Sequence, residues 1–179
     1  MGNRSLNQSL TLKPATLQDR RNIYIWLAHS NLTRDMLGAP NFPEIPIPTW
    51  EEFNEDYKAY YFDGSRPLKG QCFIITLNGE EVGQINHNEI DPITQSTEID
   101  IWMADLKFTG KGFGGEALRL LCEYLNQNFG CNTIYIAPSK RNLKAIRAYT
   151  KAGFNETKNL PINFVPDYED SVIMVKKLL

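Results

Sequence analysis

Four of the chain's glycines lie within six residues, at positions 110, 112, 114 and 115. They follow a segment with strand-like alternation and precede a long segment whose apolar residues recur at helical spacing. Glycine loses more conformational freedom on folding than any other residue, so a cluster this dense indicates that the backbone itself has a task. A helix that begins in such a loop exposes unpaired N–H groups with no Cβ atoms in the way, and the cluster therefore predicts an anion site.

Three interpretations of this glycine cluster compete. Gly110, Gly112 and Gly115 satisfy the dinucleotide pattern GxGxxG, but that pattern requires an acidic residue about 20 positions further on. The corresponding segment, residues 134–138, reads Ile-Tyr-Ile-Ala-Pro and contains no carboxylate. A Walker loop requires Ser or Thr after its lysine, whereas Lys111 is followed by glycine. The third interpretation, a turn that uses glycine only for close packing, leaves the density of the cluster unexplained.

The hydrophobic periodicity of the 179 residues predicts a single α/β domain. Asn78-Gly79 is a strong hairpin signal, and Thr49 with Glu52 has the spacing of a helix capping box. The fold class that follows is a central mixed, mostly antiparallel β-sheet with helices on both faces. The predicted strands are 10–13, 71–77, 80–90, 97–103, 134–137, 154–157 and 171–177; the predicted helices are 16–30, 50–61, 114–129 and 142–152, with a proline-rich connection at 38–48.

Composition excludes several classes of function. A net charge of −2 and a pI near 5.7 argue against nucleic-acid binding, because phosphate contacts need clustered Lys and Arg. No run approaches 18 apolar residues, and the polar residues 1–13 lack the apolar core of a signal peptide, so we expect a cytoplasmic protein that does not bind membranes. The three cysteines form no CxxC pair, and we expect no metal site.

Two acidic residues lie in the strand predicted just before the glycine cluster. Glu98 and Asp100 are i, i+2 neighbours, so their side chains share one face of the sheet. A carboxylate on a face covered by helices needs a reason, because burial of a charge is costly. The two residues are therefore candidates for a general base or for attraction of a cationic substrate, and the alternative is a solvated outer face.

Residues 108–154 resemble the Gcn5-related N-acetyltransferase (GNAT) family. The loop Thr109-Gly110-Lys111-Gly112-Phe113-Gly114 occupies the family's Q/R-x-x-G-x-G/A motif, with Thr in place of Gln or Arg. The segment 142–154, Asn-Leu-Lys-Ala-Ile-Arg-Ala-Tyr-Thr-Lys-Ala-Gly-Phe, is similar to the motif N-x-x-A-x-x-x-Y-x-K-x-G-F. Within the family, residues 136–154, the hairpin 77–80 and the ten-residue spacing from Asp100 to Gly110 look most like bacterial aminoglycoside 6'-N-acetyltransferases.

The resemblance implies that acetyl-CoA is the acetyl donor and that no metal takes part. Residues 1–179 would form one acetyltransferase domain, with a cofactor-binding part at about 97–154 and an acceptor-side part at about 14–64. Tyr149 would be the general acid for the coenzyme thiolate, and main-chain amides near Trp102 and Met103 would stabilise the reacting carbonyl oxygen. The cofactor-binding residues would be Trp102, Met103, Thr109, Gly110, Lys111, Gly112, Phe113, Gly114, Gly115, Asn142 and Lys151.

The acceptor implied by this resemblance is a small cationic amine such as an aminoglycoside. Asp100 and Glu98 would serve it as catalytic and binding residues. An acidic run at 51–56 begins the second predicted helix, and part of it, with Trp50 and Tyr57, would line the acceptor pocket. Charge at the positive end of a helix dipole explains most of this run equally well.

Two other functions stay open on the sequence. One is acetylation of a protein N-terminus or lysine, which a flat, open acceptor groove would favour over a closed acidic pocket. The other is non-catalytic binding or sensing of acyl-CoA, against which the intact Glu98, Asp100 and Tyr149 count. A homodimer is compatible with the sequence.

Overall fold

The computed structural model of the protein describes residues 9–37, 46–161, 164–167 and 169–178. These residues contain a seven-stranded sheet in the order β1-β2-β3-β4-β5-β7-β6. All neighbouring strands are antiparallel except β4 and β5, which are parallel, so the predicted mixed, mostly antiparallel sheet is confirmed. The strands are β1 (Leu10–Pro14), β2 (Gln71–Leu77), β3 (Glu80–His87), β4 (Ser96–Met103), β5 (Thr133–Ile136), β6 (Asn155–Glu156) and β7 (Met174–Lys177).

Helices cover both faces of the sheet, as predicted. The long α5 packs one face through buried residues such as Leu118, Leu121 and Leu125, which meet Ile85 and Ile99. A second core, on the other face, joins the first, third and fourth helices to the sheet. The helices are α1 (Arg20–Ala28), α2 (Thr33–Met36), α3 (Trp50–Asp56), α4 (Tyr60–Asp63), α5 (Phe113–Phe129) and α6 (Leu143–Lys151), with a 3-10 turn at Leu106–Phe108.

Two predictions that depend on residues close together in the chain, the hairpin turn and the capping box, agree with the structure. The hairpin forms at Asn78-Gly79, where both residues adopt the positive φ angles of 51° and 87° that such a turn requires. At the start of α3, Glu52 N–H donates to Thr49 Oγ1 at 3.2 Å, and Thr49 N–H donates to Glu52 Oε2 at 2.8 Å. The capping box is therefore confirmed.

Two helix boundaries differ from prediction, and α2 was not predicted. The helix expected from residue 16 begins at Arg20, because the Asp19 carboxylate turns back to accept from Thr16 N–H (2.7 Å) and from its hydroxyl (2.9 Å). The helix expected over 50–61 divides into α3 and α4. Tyr57 leaves helical geometry there, and Arg20 Nη2 donates to the carbonyl oxygens of Tyr57 and Asn54, which ends α3. The proline-rich connection at 38–48 falls mostly outside the described residues.

The sheet opens between β4 and β5. Residues 96–98 of β4 pair with 133–135 of β5, and the pairing goes no further along β4. On its other edge β4 stays paired with β3 to its end, where Ala104 N–H donates to Val82 O at 2.9 Å. Because N–H directions alternate along an antiparallel strand, Trp102 N–H points toward β3 and Met103 N–H points into the gap.

Candidate active site

A cavity of about 870 Å³ lies where the sheet opens, between the end of β4, the glycine loop and α6. Nine of the eleven predicted cofactor-binding residues line it: Trp102, Met103, Thr109, Gly110, Gly112, Gly114, Gly115, Asn142 and Lys151. Phe113 is instead buried in the core beneath α5, and Lys111 is exposed outside the lining. The loop's contribution is therefore mainly its backbone.

Glycine is required in this loop by backbone geometry. Gly110 and Gly112 have φ angles of 71° and 86°, in the left-handed region that side-chain-bearing residues avoid. Gly112 is the N-cap of the 17-residue α5, so the unpaired N–H groups of that helix face the cavity. A Cβ at Gly115 would meet no protein atom within 4 Å, which leaves open space over the first turn. This cradle fits a pyrophosphate group.

Helix α6 supplies the opposite wall of the cavity. Lys144, Arg147 and Lys151 recur at helical spacing and line it, and they add positive charge facing the loop. Tyr149 also lines the cavity, is half-buried and packs against Phe154 with ring centroids 6.4 Å apart. The helix thus presents a phenol and three cations to one space.

Asn142 has a structural task at the start of α6. Its Oδ1 accepts from Ala145 N–H at 3.2 Å, and its Nδ2 donates to Asp35 O at 3.1 Å. The side chain therefore caps α6 and ties it to α2 while it lines the cavity.

Glu98 and Asp100 lie on the sheet face that packs against α1, α3 and α4. Asn86 is directly opposite Asp100 across β3 and β4, and its Nδ2 donates to Asp100 Oδ2 at 3.2 Å. Asn88 Nδ2 donates to the same oxygen at 3.3 Å. Both carboxylates are half-buried, so the solvated outer face considered above does not apply to them.

The surroundings of these carboxylates oppose ionisation. Burial raises the pKa of Glu98 from 4.5 to about 8, the charges of Asp100 and Asp167 add to the shift, and the Asn88 amide opposes it. Burial raises the pKa of Asp100 from 3.8 to about 6, Asp167 adds to this, and the amides of Asn86 and Asn88 oppose it. Both pKa values are raised and that of Glu98 is raised further, so Asp100 is the more readily ionised of the two carboxyl groups.

Asp167 was not predicted as a site residue. It is near enough to Glu98 and Asp100 to raise the pKa of each. Desolvation raises the pKa of Asp167 itself, and the charge of Asp56 adds to that shift. A carboxylate about 70 positions away in sequence leaves no local signal. Asn86 and Asn88 do have a local signal in the sequence, because polar residues at i, i+2 near a strand predict a polar face there.

The two aromatic residues predicted for the acceptor pocket both pack against the second core. The Tyr57 ring packs edge-on against Trp102 with centroids 5.7 Å apart, and the charge of Asp100 helps to raise the Tyr57 pKa, after burial. Trp50 stacks on Phe53, with ring centroids 6.0 Å apart. Tyr57 therefore belongs to the immediate surroundings of Asp100.

Nothing in the described ranges suggests a metal site or a membrane span. No three His, Cys, Asp or Glu side chains among those residues are grouped so as to hold a metal ion. The same residues include no helix with the length and apolar character needed to span a bilayer.

The chain is similar to characterised acetyltransferases. The family model for the acetyltransferase (GNAT) domain matches residues 9–155. An aminoglycoside N(6')-acetyltransferase type 1 from Klebsiella pneumoniae is 31% identical over 160 residues, which are 83% of this chain and 75% of that protein. A spermidine N(1)-acetyltransferase from Escherichia coli (strain K12) is 24% identical over 147 residues, 82% of this chain and 73% of that protein.

Solved structures show the same similarity. The crystal structure of the aminoglycoside acetyltransferase AAC(6')-Ib in complex with coenzyme A matches with a TM-score of 0.70 and 28% identity, over 94% of this chain and 95% of that chain.

Proposed function

The chain belongs to the GNAT acetyltransferase family, and we propose that it transfers the acetyl group of acetyl-CoA directly to a primary amine of a small cationic molecule. The choice of acceptor rests on four carboxylates that come from three parts of the chain and interact electrostatically: Asp167 with Glu98 and Asp100, and Asp56 with Asp167. Among the described residues no Lys or Arg forms an ion pair with any of these four carboxylates. Glu98 and Asp100 are half-buried, whereas Asp56 and Asp167 are exposed, and half-buried carboxylates without cations favour a positively charged substrate.

The donor side of the site follows from the glycine loop and α6. The N–H groups at the start of α5 would hold the pyrophosphate of acetyl-CoA, and Lys144, Arg147 and Lys151 would add attraction for its phosphates. When bound, acetyl-CoA supplies an activated acyl group as a thioester. Met103 N–H, which points into the gap of the sheet, would donate to the carbonyl oxygen as that oxygen gains negative charge.

The acceptor side has to deliver a neutral amine. A primary amine with a pKa near 10 is only about 10⁻³ neutral at pH 7, which costs roughly 4 kcal/mol unless a base takes the proton. Asp100 is the better placed of the two carboxylates, because its pKa is raised less than that of Glu98 and because the amides of Asn86 and Asn88 donate to it. We assign Asp100 as the group that binds the ammonium and accepts its proton.

Tyr149 is the group that we assign to protonate the leaving thiolate. The amine nitrogen forms a bond to the acyl carbon as the carbon–sulfur bond breaks, and the Tyr149 hydroxyl gives its proton to the leaving thiolate. The proton that Asp100 accepts from the ammonium is released to solvent, the attacking nitrogen loses a second proton to solvent as it becomes an amide, and Tyr149 is reprotonated from solvent. An amide and free coenzyme A thiol result, with no net oxidation.

Direct transfer is supported by the state of Cys72, the cysteine nearest to this site. Burial raises its pKa well above the usual value, and the charge of Asp100 raises it further. The Cys72 thiol therefore stays protonated and is not a nucleophile for an acyl-enzyme.

Release of free thiol from acetyl-CoA, measured across aminoglycosides, polyamines and short peptides, tests the proposal. We expect turnover with at least one polycationic amine. We expect none with uncharged peptides whose N-terminus is acetylated, because these have no primary amine. Turnover only with protein N-termini or lysines would replace the small-molecule acceptor. Stabilisation by acetyl-CoA without turnover on any amine would favour a sensor, and no stabilisation would remove the donor site.

A further inference from the structure

We propose that a chain of three side-chain amides, Gln84 and Asn86 on β3 and Asn88 just after its end, positions the Asp100 carboxylate toward the acceptor amine. We call this chain the amide relay. The inference rests on the proposed function, because it assigns the support for the carboxylate that binds the amine. Gln84 and Asn86 alternate along β3, so their side chains share the sheet face opposite α5, and Asn88 donates to the same carboxylate oxygen as Asn86.

The relay is continuous and ends on one oxygen. Gln84 Nε2 donates to Asn86 Oδ1 at 3.1 Å, and Asn86 Nδ2 donates both to Asn88 Oδ1 (3.1 Å) and to Asp100 Oδ2 (3.2 Å). Asn88 Nδ2 donates to Asp100 Oδ2 at 3.3 Å. Within the part of the chain that the structure describes, no hydrogen bond reaches Asp100 Oδ1. One carboxylate oxygen is thus held by the strand and the other is left for a ligand.

The carboxylate fixes the orientation of every amide in the relay. An ionised carboxylate only accepts, so Asn86 has to turn its NH₂ group toward Asp100 and its Oδ1 away. That Oδ1 then accepts from Gln84 Nε2, which leaves Gln84 Oε1 as the last acceptor of the relay. Gln84 is fully buried, and its Oε1 has no hydrogen-bond partner among the described residues.

An unpaired buried acceptor lowers stability, and apolar side chains at positions 84 and 86 together would avoid it. Asn86 is also fully buried, and an apolar residue would fit the surrounding core equally well. The burial of two polar amides, Gln84 and Asn86, lowers stability and occurs next to a half-buried carboxylate. This combination indicates that the amides orient that carboxylate.

Among the described residues, only the amides of Asn86 and Asn88 lower the pKa of Asp100 and so favour its ionised form. The ionisable groups that face it are Tyr57 from α3, Tyr61 from α4, Cys72 from β2, Glu98 from β4 and Asp167 from the C-terminal segment. None of these is a cation, and the charge of Asp167 works against ionisation. Asn86 and Asn88 supply the opposing hydrogen bonds, and Tyr61 OH supports them by donating to Asn88 Oδ1 at 3.1 Å.

The test compares three relay variants with a matched control. Asn86→Leu removes the donor opposite Asp100, Asn88→Ala removes the half-buried second donor, and Gln84→Met removes the buried end of the relay. Gln71→Leu is the control, because Gln71 is a half-buried amide on the opposite face of the sheet, where it accepts from Tyr124 OH at 3.2 Å. Circular dichroism and the unfolding temperature show which variants fold.

Two readouts separate a positioning role from a structural one. The first is the Asp100 pKa from carbon-13 NMR of the labelled carboxyl group; the second is the ratio of variant to wild-type kcat/KM from pH 6 to pH 9. We expect Asn86→Leu to raise the Asp100 pKa by about one unit, which corresponds to about 1.4 kcal/mol. Its kcat/KM ratio is then several-fold below 1 at pH 6 and returns toward 1 by pH 9, with a smaller shift in Asn88→Ala.

Gln84→Met removes the unpaired Gln84 Oε1 but leaves the buried Asn86 Oδ1 without its donor, so we expect little change in the unfolding temperature together with a smaller upward shift of the Asp100 pKa. Gln71→Leu should leave both readouts at the wild-type value. An unchanged Asp100 pKa in folded Asn88→Ala and Gln84→Met would overturn the relay, as would a kcat/KM ratio equally low at every pH. If no amine proves to be an acceptor, the proposed function fails, while the NMR titration still decides on the relay.

Discussion

Asn86 and Asp100 are paired across β3 and β4, and the Asn86 amide donates to Asp100 Oδ2 at 3.2 Å. The register of one antiparallel strand pair therefore sets the surroundings of the carboxylate that we assign as the base. A slip of one residue would turn Asn86 to the α5 core and bring Ile85 or His87 opposite Asp100. The chemistry of the site depends on the hairpin that aligns β3 with its neighbours.

Asp100→Asn should abolish most turnover without unfolding the protein. The new amide oxygen can accept from Asn86 and Asn88 as the carboxylate does, but it cannot take a proton from the ammonium. We expect kcat to fall by about 10²- to 10⁴-fold, the usual contribution of a general base. Thiol release measures this, with Glu89→Gln as the control, because Glu89 is exposed and pairs with Lys69. A kcat within threefold of wild type would exclude Asp100 as the base.

Tyr149→Phe should lower kcat and spare donor binding. The ring keeps its packing on Phe154, and only the proton for the leaving thiolate is lost. We expect a fall in kcat of about 10²-fold with an unchanged dissociation constant for acetyl-CoA. Tyr124→Phe is the matched control, since the Tyr124 hydroxyl bonds Gln71 on the far side of the sheet. Equal losses in the two variants would contradict the assignment.

Gly115→Ala should separate stability from donor binding. Position 115 lies in the first turn of α5, and a Cβ there would meet no protein atom within 4 Å. Alanine should stabilise the helix by about 0.5–1 kcal/mol, which raises Tm by roughly 2–4 °C for a chain of this size.

The same Cβ would stand in the cavity where the pyrophosphate is expected, so acetyl-CoA should bind at least tenfold more weakly to Gly115→Ala. Thermal unfolding with and without acetyl-CoA measures both effects. Gln127→Ala, an exposed change later in α5, should leave donor binding unaffected. Undiminished binding in Gly115→Ala would place the pyrophosphate elsewhere.

Glu98→Gln should make stability less dependent on pH. Burial raises the Glu98 pKa above its value in the unfolded chain, so folding is favoured while the group is protonated. That contribution is complete below about pH 4.5 and is lost as pH rises to about 8. We therefore expect Glu98→Gln to raise Tm by a few degrees at pH 8.5 and to change it little at pH 4. A Tm gain of the same size at both pH values would contradict the pKa shift.

The sequence allows prediction of features that depend on neighbouring residues. The capping box at Thr49 and the turn at Asn78-Gly79 form within four residues each, and both are confirmed. The division of the second predicted helix could not be foreseen, because Arg20, more than 30 residues away, binds the carbonyl oxygens that end α3. Long-range hydrogen bonds override helical periodicity there.

The candidate site shows the same limit. The glycine loop and Asp100 carry local signals, and the structure brings the loop, Tyr149 and the end of β4 around one cavity. The role of Asn86 depends on strand register, and Asp167 approaches Asp100 only through the folding of the C-terminal segment. The i, i+2 spacing of Asn86 and Asn88 predicts a polar face, but nothing in the sequence displays the pairing of Asn86 with Asp100 or the approach of Asp167.

A single-turnover experiment with acetyl-CoA labelled in the acetyl group tests the central claim most directly. Enzyme in excess is mixed with the donor and with the best amine from the acceptor panel, and the label is located by mass spectrometry. The account predicts that the label moves to a primary amine nitrogen in step with thiol release, that the protein stays unlabelled, and that Asp100→Asn slows the transfer by at least 10²-fold. Label on the protein, or transfer at the wild-type rate in Asp100→Asn, would contradict direct transfer to an amine bound at Asp100.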